Sequence, residues 1–176
     1  MSGDFILLYP LTDGSGLFEV LRQLLTLPAA IKAITPIFLH FGELHLVFNM
    51  VWMWYFGKQL EEVHSAWFFI LIIVGISFVS NTAQYLAIEY NNFGGMSGVI
   101  YGLVGYSWII TIVQPKRLVI INNNLFIFFV ISLVLMELFA SSWIATAAHL
   151  SGLLSGLVLG VCLTIFNRMK TRISHG

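Results

Sequence analysis

Four polar side chains that could perform chemistry occur in otherwise apolar stretches of this chain: Ser97, His149, His45 and Asn49. A serine hydroxyl becomes a good nucleophile when a base takes its proton, and neutral histidine is the usual base. A second imidazole and an amide are donors suited to the oxyanion that develops on an attacked carbonyl. Because no acidic residue lies near His149 in the sequence, these residues predict acyl transfer by a Ser–His dyad rather than a triad.

The composition predicts that these residues lie in a membrane. Of the 176 residues, 59% are hydrophobic and 9% are charged, whereas a soluble domain carries about 25% charged residues. The formal net charge is zero, so nothing indicates a nucleic-acid partner. The single cysteine, Cys162, provides no disulfide framework. We therefore expect a multi-pass protein whose surroundings are a lipid bilayer, with no cofactor and no metal.

Apolar runs bounded by charges and helix breakers divide the chain into helices. They predict five spanning helices, at residues 44–57, 67–88, 96–113, 118–139 and 143–166. Before them, an apolar run at 5–9 is cut short by Pro10, and residues 17–34 are amphipathic and typical of an interfacial segment. The predicted organisation is a partial first helix and interfacial external loop at 1–34, a membrane core at 35–167 and a basic cytoplasmic tail at 168–176.

The distribution of basic residues predicts the orientation, because cytoplasmic loops are enriched in lysine and arginine. If the loop at Lys58 is cytoplasmic, six basic residues lie inside and only Arg22 and Lys32 lie outside. The six are Lys58, Lys116, Arg117, Arg168, Lys170 and Arg172. The connection at 89–95 then faces the non-cytoplasmic side.

This topology brings the four polar side chains to one depth. Ser97 opens its helix from the outer side, and His149 lies about six residues into the last helix, roughly 9 Å deep. His45 and Asn49 are spaced i, i+4 and therefore share one helix face. Since polar groups at membrane depth usually face the bundle interior or a water-filled cavity, we expect one shared cavity.

Glycines predict which helices touch. Two sets repeat at near-helical spacing, one after Ser97 and one after His149, in the small-xxx-small pattern that lets membrane helices pack closely. They are Gly98, Gly102 and Gly105 in the first set and Gly152, Gly156 and Gly160 in the second. Contact between these two helices is what a Ser97–His149 hydrogen bond requires.

Taken in order, these residues resemble the motifs of the rhomboid family of intramembrane serine proteases. Residues 95–98 (Gly-Met-Ser-Gly) resemble its G-x-S-G nucleophile motif, and residues 148–152 resemble its A-H-x-x-G motif. Residues 45–49 match its H-x-x-x-N pair, and residues 57–61 match the G-x-x-x-E element that follows. The resemblance covers about residues 35–160. The chain departs from the family at Ile31-Lys32, where the family carries W-R, and in its incomplete first helix.

The resemblance implies both a fold and an activity. The fold is an all-α membrane protein, a rhomboid-like six-helix transmembrane bundle whose first helix is truncated here. The activity is hydrolysis of peptide bonds in or near transmembrane helices of other proteins. Ser97 and His149 would be catalytic and His45 and Asn49 would bind the oxyanion, while Gly95, Gly98, Tyr101 and Gly152 would support the site. Tyr101 occupies the position where the family carries a tyrosine that packs on the catalytic histidine.

The resemblance also implies a location. We expect a bacterial inner-membrane protein whose active site opens to the non-cytoplasmic side, with the helix at 118–139 as its lateral gate. Transmembrane proteins are the implied substrates, and no feature of the sequence indicates an oligomeric state.

Two alternatives remain open from the residues. One is a non-catalytic rhomboid-like protein that binds membrane helices, although such proteins typically lose the serine or histidine that this chain keeps. The other is a transporter or metal carrier that uses His40, His45 and His149, which lack a carboxylate or thiolate partner at similar depth.

Other polar residues are predicted to be structural. His40 is expected to pack the loop before His45, and Glu61 to brace a loop. Glu137 is expected near the outer end of its helix, snorkelling or paired. His64 and His175 are expected to be solvated at the cytoplasmic edge.

Overall fold

A computed structural model describes residues 27–88, 93–113, 120–140 and 145–174. Within those ranges every regular element is a helix, as expected for a chain that must satisfy its backbone hydrogen bonds in lipid. The helices are α1 (Leu27–Ile34), α2 (Glu43–Glu61), α3 (Ala66–Ile88), α4 (Ser97–Val113), α5 (Asn123–Ala140) and α6 (Thr146–Ser174), with a 3₁₀ turn at Thr35–Phe38. The apolar run at 5–9, predicted as a partial first helix, lies outside the described residues.

Length and composition identify the helices that can cross a bilayer. Among the described residues, two qualify alone: α3 over Ala66–Ala87 and α6 over Thr146–Lys170. The pair Ala30–Phe38 and Glu43–Glu61 qualifies when taken together, with a bend of 105° between its parts. Helices α4 and α5 are apolar but shorter, with 17 and 18 residues, or about 26 Å each. The chain is therefore an all-α membrane bundle.

Two helices begin later than the sequence indicates. Helix α5 begins at Asn123, because Asn122 Oδ1 accepts a hydrogen bond from Leu125 N–H at 2.8 Å and caps the helix. The apolar run continues upstream of this point, so hydropathy does not reveal the cap. Helix α6 begins at Thr146, which puts His149 three residues, about 4.5 Å, into the helix rather than 9 Å.

Helix α4 is the centre of the bundle. Every residue from Gly98 to Ser107 is buried, and the apolar core forms around this helix with side chains from α2, α3, α5 and α6. Its first residue, Ser97, therefore lies at one end of the bundle, which we call the site end.

Helices α4 and α6 run parallel and touch through glycines, as predicted. A Cβ atom at Gly152 would overlap Gly98 O, and one at Gly156 would overlap Gly102 O. Further along, a Cβ at Gly160 would lie 2.8 Å from Ile109 Cβ. Since the contacts advance along both helices in the same direction, both helices start at the site end.

The predicted basic tail continues α6 without a break, since this helix extends to Ser174. Arg168 and Lys170 are exposed on it. The division of the chain at 34/35 and 167/168 stays a prediction.

Candidate active site

Ser97 and His149 meet at the site end. Ser97 Oγ lies 2.7 Å from His149 Nε2, which is hydrogen-bonding distance between the first residue of α4 and the first turn of α6. His149 is only 3% exposed. Among the described residues, its other ring nitrogen, Nδ1, has no hydrogen-bond partner. Within the described part of the chain, the two side chains thus form a pair, and no third polar group is hydrogen-bonded to the histidine.

Backbone contacts between α4, α6 and α3 fix this pair. The glycine contacts set the spacing of α4 and α6, and Gln84 on α3 accepts a hydrogen bond from Ala148 N–H at 2.9 Å through its Oε1 atom. Ala148 directly precedes His149, so Gln84 satisfies one of the free amides at the start of α6. Gln84 was not among the residues predicted to support the site. Its signal was a row of polar residues at helical spacing on α3, namely Ser77, Ser80, Asn81 and Gln84, all of which are buried.

The residues just before Ser97 form a tight approach to α2. Gly95 has a positive φ of 109°, a conformation that glycine adopts at little cost. A Cβ atom there would lie 2.6 Å from His45 Cε1 and 2.8 Å from His45 Nε2. The His45 ring is therefore packed against Gly95, two residues from the Ser97 hydroxyl.

Asn49 lies one turn below His45 on α2 and is fully buried. Its Nδ2 atom donates to His45 O at 2.8 Å and lies 3.7 Å from the Cβ position of Gly95. In the described part of the chain its Oδ1 atom has no hydrogen-bond partner. The structure thus brings His45 and Asn49 beside Gly95, at the start of the helix that bears Ser97.

Tyr101 packs on the histidine. The ring centroids of Tyr101 and His149 are 4.9 Å apart with an interplanar angle of 32°. The edge of Tyr101 also contacts Phe129 of α5, with centroids 5.5 Å apart. The tyrosine therefore restricts the orientation of the imidazole plane.

The supporting glycines allow this closeness. A Cβ at Gly98 would lie 3.0 Å from Ser80 Oγ and 3.3 Å from Ala148 O, and the Gly152 contact with Gly98 O brings the two helix starts together. Gly98 and Gly152 thus permit the Ser97–His149 distance.

The other histidines and the two glutamates predicted to be structural lie in different surroundings. His40 lies beside His45, with ring centroids 5.1 Å apart, as a loop-packing residue would. Glu61 and Glu137 are exposed. His175 lies outside the described residues.

The prediction that His64 is solvated is wrong. His64 is half-buried, and its Nε2 atom lies 2.6 Å from the hydroxyl of Tyr106, a fully buried residue of α4. Burial lowers the pKa of His64 from its ordinary value of 6.5. The contact ties the connection between α2 and α3 to the central helix.

Comparison with known proteins shows the family to which this chain is similar. The family model for the rhomboid domain matches residues 28–166. The protein named Rhomboid protease GlpG from Serratia proteamaculans (strain 568) is 41% identical over 125 residues, which cover 69% of this chain and 44% of that protein. Its namesake from Yersinia pestis (strain Pestoides F) is 40% identical over the same shares.

A third relative of the same name, from Photorhabdus laumondii, is 38% identical over 126 residues, or 70% of this chain and 44% of that protein. The chain thus spans less than half the length of these relatives. The family model nevertheless covers most of the chain, including both helices that meet at Ser97 and His149. This chain belongs to the rhomboid family.

Proposed function

We propose that this protein is an intramembrane serine endopeptidase that cleaves peptide bonds in or near transmembrane helices of other membrane proteins. The observation that supports this most directly is the 2.7 Å distance between Ser97 Oγ and His149 Nε2. A nucleophile and a base within hydrogen-bonding reach are the minimum requirement for acyl transfer through a serine. The names of the relatives, each a rhomboid protease, support the same activity.

In the first step, Ser97 Oγ attacks the scissile carbonyl carbon while His149 Nε2 takes the hydroxyl proton. The carbonyl oxygen becomes an oxyanion. When the tetrahedral intermediate collapses, the C–N bond breaks and His149 gives the proton to the departing amine. The amino-terminal part of the substrate is then held as an ester on Ser97 Oγ, and the carboxyl-terminal fragment leaves with a free amine.

The oxyanion needs donors on the side of Ser97 that faces α2. His45 Nε2 and Asn49 Nδ2 supply side-chain donors there, since both side chains lie against Gly95. The amide of Ser97 adds a backbone donor, because the first amides of a helix have no partner within it. Donors fixed in advance stabilise the transition state more than the ground state.

In the second step, a water molecule enters the position that the amine has left. His149 takes a proton from water, the resulting hydroxide attacks the ester, and the proton returns to Ser97 Oγ as the acid is released. The buried imidazole has no carboxylate on Nδ1 among the described residues, and packing against Tyr101 holds its plane instead.

Because His149 acts as a base only when it is neutral, we expect faster cleavage at pH 7 than at pH 4. A rate that rises steadily as the pH falls from 7 to 4 would contradict this role for His149.

The substrates we propose are membrane proteins with a transmembrane helix. The basic residues support an orientation in which the site end faces the non-cytoplasmic side of a bacterial inner membrane. Helix α5, whose outward face is apolar and exposed, is the proposed lateral gate for a substrate helix that arrives through the lipid.

The test is cleavage of a model single-span substrate by the purified chain in liposomes. We expect Ser97→Ala and His149→Ala each to abolish cleavage. Ser107→Ala is the matched serine control, because Ser107 is buried on the same helix two to three turns further along. His64→Gln is the matched histidine control. Cleavage by either dyad variant at the wild-type rate would overturn the proposal.

The alternative, a non-catalytic rhomboid-like protein that binds membrane helices, makes a different prediction. Such a protein would bind the model substrate and leave it intact in wild type and in Ser97→Ala alike. Thermal denaturation establishes that the preparation is folded. Binding without cleavage by such a preparation would favour the non-catalytic alternative.

A further inference from the structure

The carboxyl end of α1 lies against α3, where two buried polar side chains meet it. We propose that Ser77 and Asn81 of α3 are positioning residues for the site: they hold the end of α1 and, through it, the segment that leads into Ser97. Both residues are buried, at 0% and 5% exposure. Neither belongs to the Ser97–His149 pair or to the donors beside it.

The end of α1 needs external hydrogen-bond donors. The last carbonyl groups of any helix lack partners within it, and Pro36 has no N–H group to donate to Lys32 O. Three side chains replace the missing donors. Thr35 Oγ1 donates to Lys32 O at 3.2 Å, Asn81 Nδ2 donates to Ala33 O at 2.8 Å, and Ser77 Oγ donates to Ile34 O at 3.3 Å.

The two residues on α3 also contact one another. Asn81 Nδ2 lies 3.3 Å from Ser77 Oγ, so the amide and the hydroxyl act on neighbouring carbonyls as one unit, which we call the α3 clamp. Buried carbonyls without donors are costly, particularly where water is scarce. The clamp therefore determines where α1 rests on α3.

From α1 the connection to the site is short. The turn Thr35–Phe38 follows directly, and Pro36 O accepts a hydrogen bond from Gly95 N–H at 2.9 Å. Gly94 fits against the same turn, because a Cβ there would lie 3.1 Å from Pro36 O and 2.7 Å from Cβ of Leu39, the residue after the turn. Gly95 precedes Ser97 by two residues and contacts His45, so a shift of the turn moves both the nucleophile and an oxyanion donor.

A small apolar cluster supports the same path. Ala33, Tyr85 and Phe93 are buried together, which places the end of α1 and the start of the segment 93–96 on one patch of α3. Ile31, by contrast, is 51% exposed. The end of α1 is therefore held by its contacts with α3 and not by the side chain of Ile31.

The experiment compares wild type with Asn81→Leu, Ser77→Ala and a control, Ile72→Ala. Leucine keeps the branched shape of asparagine and removes its donors, and Ser77→Ala is a milder change in case Asn81→Leu does not fold. Ile72 is a buried apolar residue of α3 more than two turns from Asn81, so its truncation lowers stability without touching α1.

Two measurements distinguish the effect of losing the α3 clamp from the effect of a general loss of stability. The first is amide hydrogen exchange of the peptide that contains Gly95, whose N–H bond to Pro36 O reports the position of the turn. The second is the rate at which a fluorophosphonate labels Ser97, and this readout rests on the proposed function. We expect both clamp variants to exchange faster at Gly95 and to be labelled more slowly, by about tenfold for Asn81→Leu. Ile72→Ala should leave both the exchange rate at Gly95 and the labelling rate of Ser97 close to those of wild type.

Unchanged exchange at Gly95 in both clamp variants would overturn the proposal, as would equal effects in Ile72→Ala. Faster exchange with an unchanged labelling rate would also overturn it, because the turn would then not position Ser97. If wild type itself is not labelled, the proposed function fails, and the exchange rates alone decide whether the clamp holds the loop.

Discussion

Replacing Gly156 by alanine would add one methyl group where α6 passes over α4. That methyl carbon would overlap Gly102 O and lie 2.6 Å from Gly102 C and 2.9 Å from Gly102 Cα. Non-bonded carbon atoms prefer separations of about 3.5 to 4.0 Å. Because the atoms in the way belong to the backbone, no side chain can rotate to make room, and the two helices must separate by about 1 Å.

The same separation acts on the site. Ser97 Oγ and His149 Nε2 are 2.7 Å apart, so a movement of about 1 Å takes them beyond the reach of about 3.2 Å that proton transfer requires. Misplacement of a catalytic group by about 1 Å costs roughly 10²-fold in rate. We therefore expect Gly156→Ala to react with a fluorophosphonate about 10²-fold more slowly than wild type.

Gly75→Ala is the matched control. Gly75 lies on α3, and a Cβ there would have no atom within 4 Å, so its labelling rate should stay within about twofold of wild type. Both rates are measured in the same detergent, with thermal denaturation to establish that each variant is folded. Labelling of folded Gly156→Ala at the wild-type rate would refute the reasoning that helix spacing sets the site geometry.

Three further predictions follow from other contacts. Burial lowers the pKa of His64 in the folded protein, so the unfolded chain binds a proton at a higher pH than the folded protein does. Tm should therefore fall as the pH drops from 6.5 through the pKa of His64 in the folded protein. His64→Gln should remove that part of the fall in Tm, and an equally steep decline in the variant would contradict the prediction. Asn49→Ala should lower kcat by about 10² to 10³-fold if Asn49 binds the oxyanion, and a change confined to KM would assign it to substrate binding instead. Tyr101→Phe should keep most of the labelling rate because the ring that packs on His149 remains, whereas Tyr101→Ala should lose it; equal losses in both would point to the hydroxyl.

The meeting of α4 and α6 could be predicted because it depends on local spacing. Glycines three or four residues apart lie on one face of a helix, and the two glycine sets follow closely after Ser97 and His149. The two glycine faces were therefore expected to pack against each other. The contacts of Gly152 with Gly98 and of Gly156 with Gly102 agree with that expectation.

The α3 clamp could not be predicted from spacing. Asn81 is 48 residues from the carbonyl it binds, and its partner is a backbone atom, which has no signature in the sequence. Polar residues at helical spacing on α3 are a signal of a polar helix face, but the spacing does not show what that face contacts. The same holds for Tyr106 and His64, which meet only because the connection after α2 folds back on α4.

Helix starts were predicted less well than helix existence. Hydropathy responds to the whole apolar run, whereas a helix begins where a side chain caps its first amides. Asn122 supplies that cap for α5. Ile120 and Ile121 before it are as apolar as the helix, but their amides bond to Thr111 Oγ1 of α4 at 3.2 and 3.4 Å.

The most direct test of the central claim is to map the residue that a fluorophosphonate modifies in the purified protein. If Ser97 and His149 act as nucleophile and base, the label lies on Ser97, disappears in Ser97→Ala, is lost or strongly slowed in His149→Ala and persists in Ser107→Ala. A label on a different residue, or undiminished labelling of His149→Ala, would contradict the account.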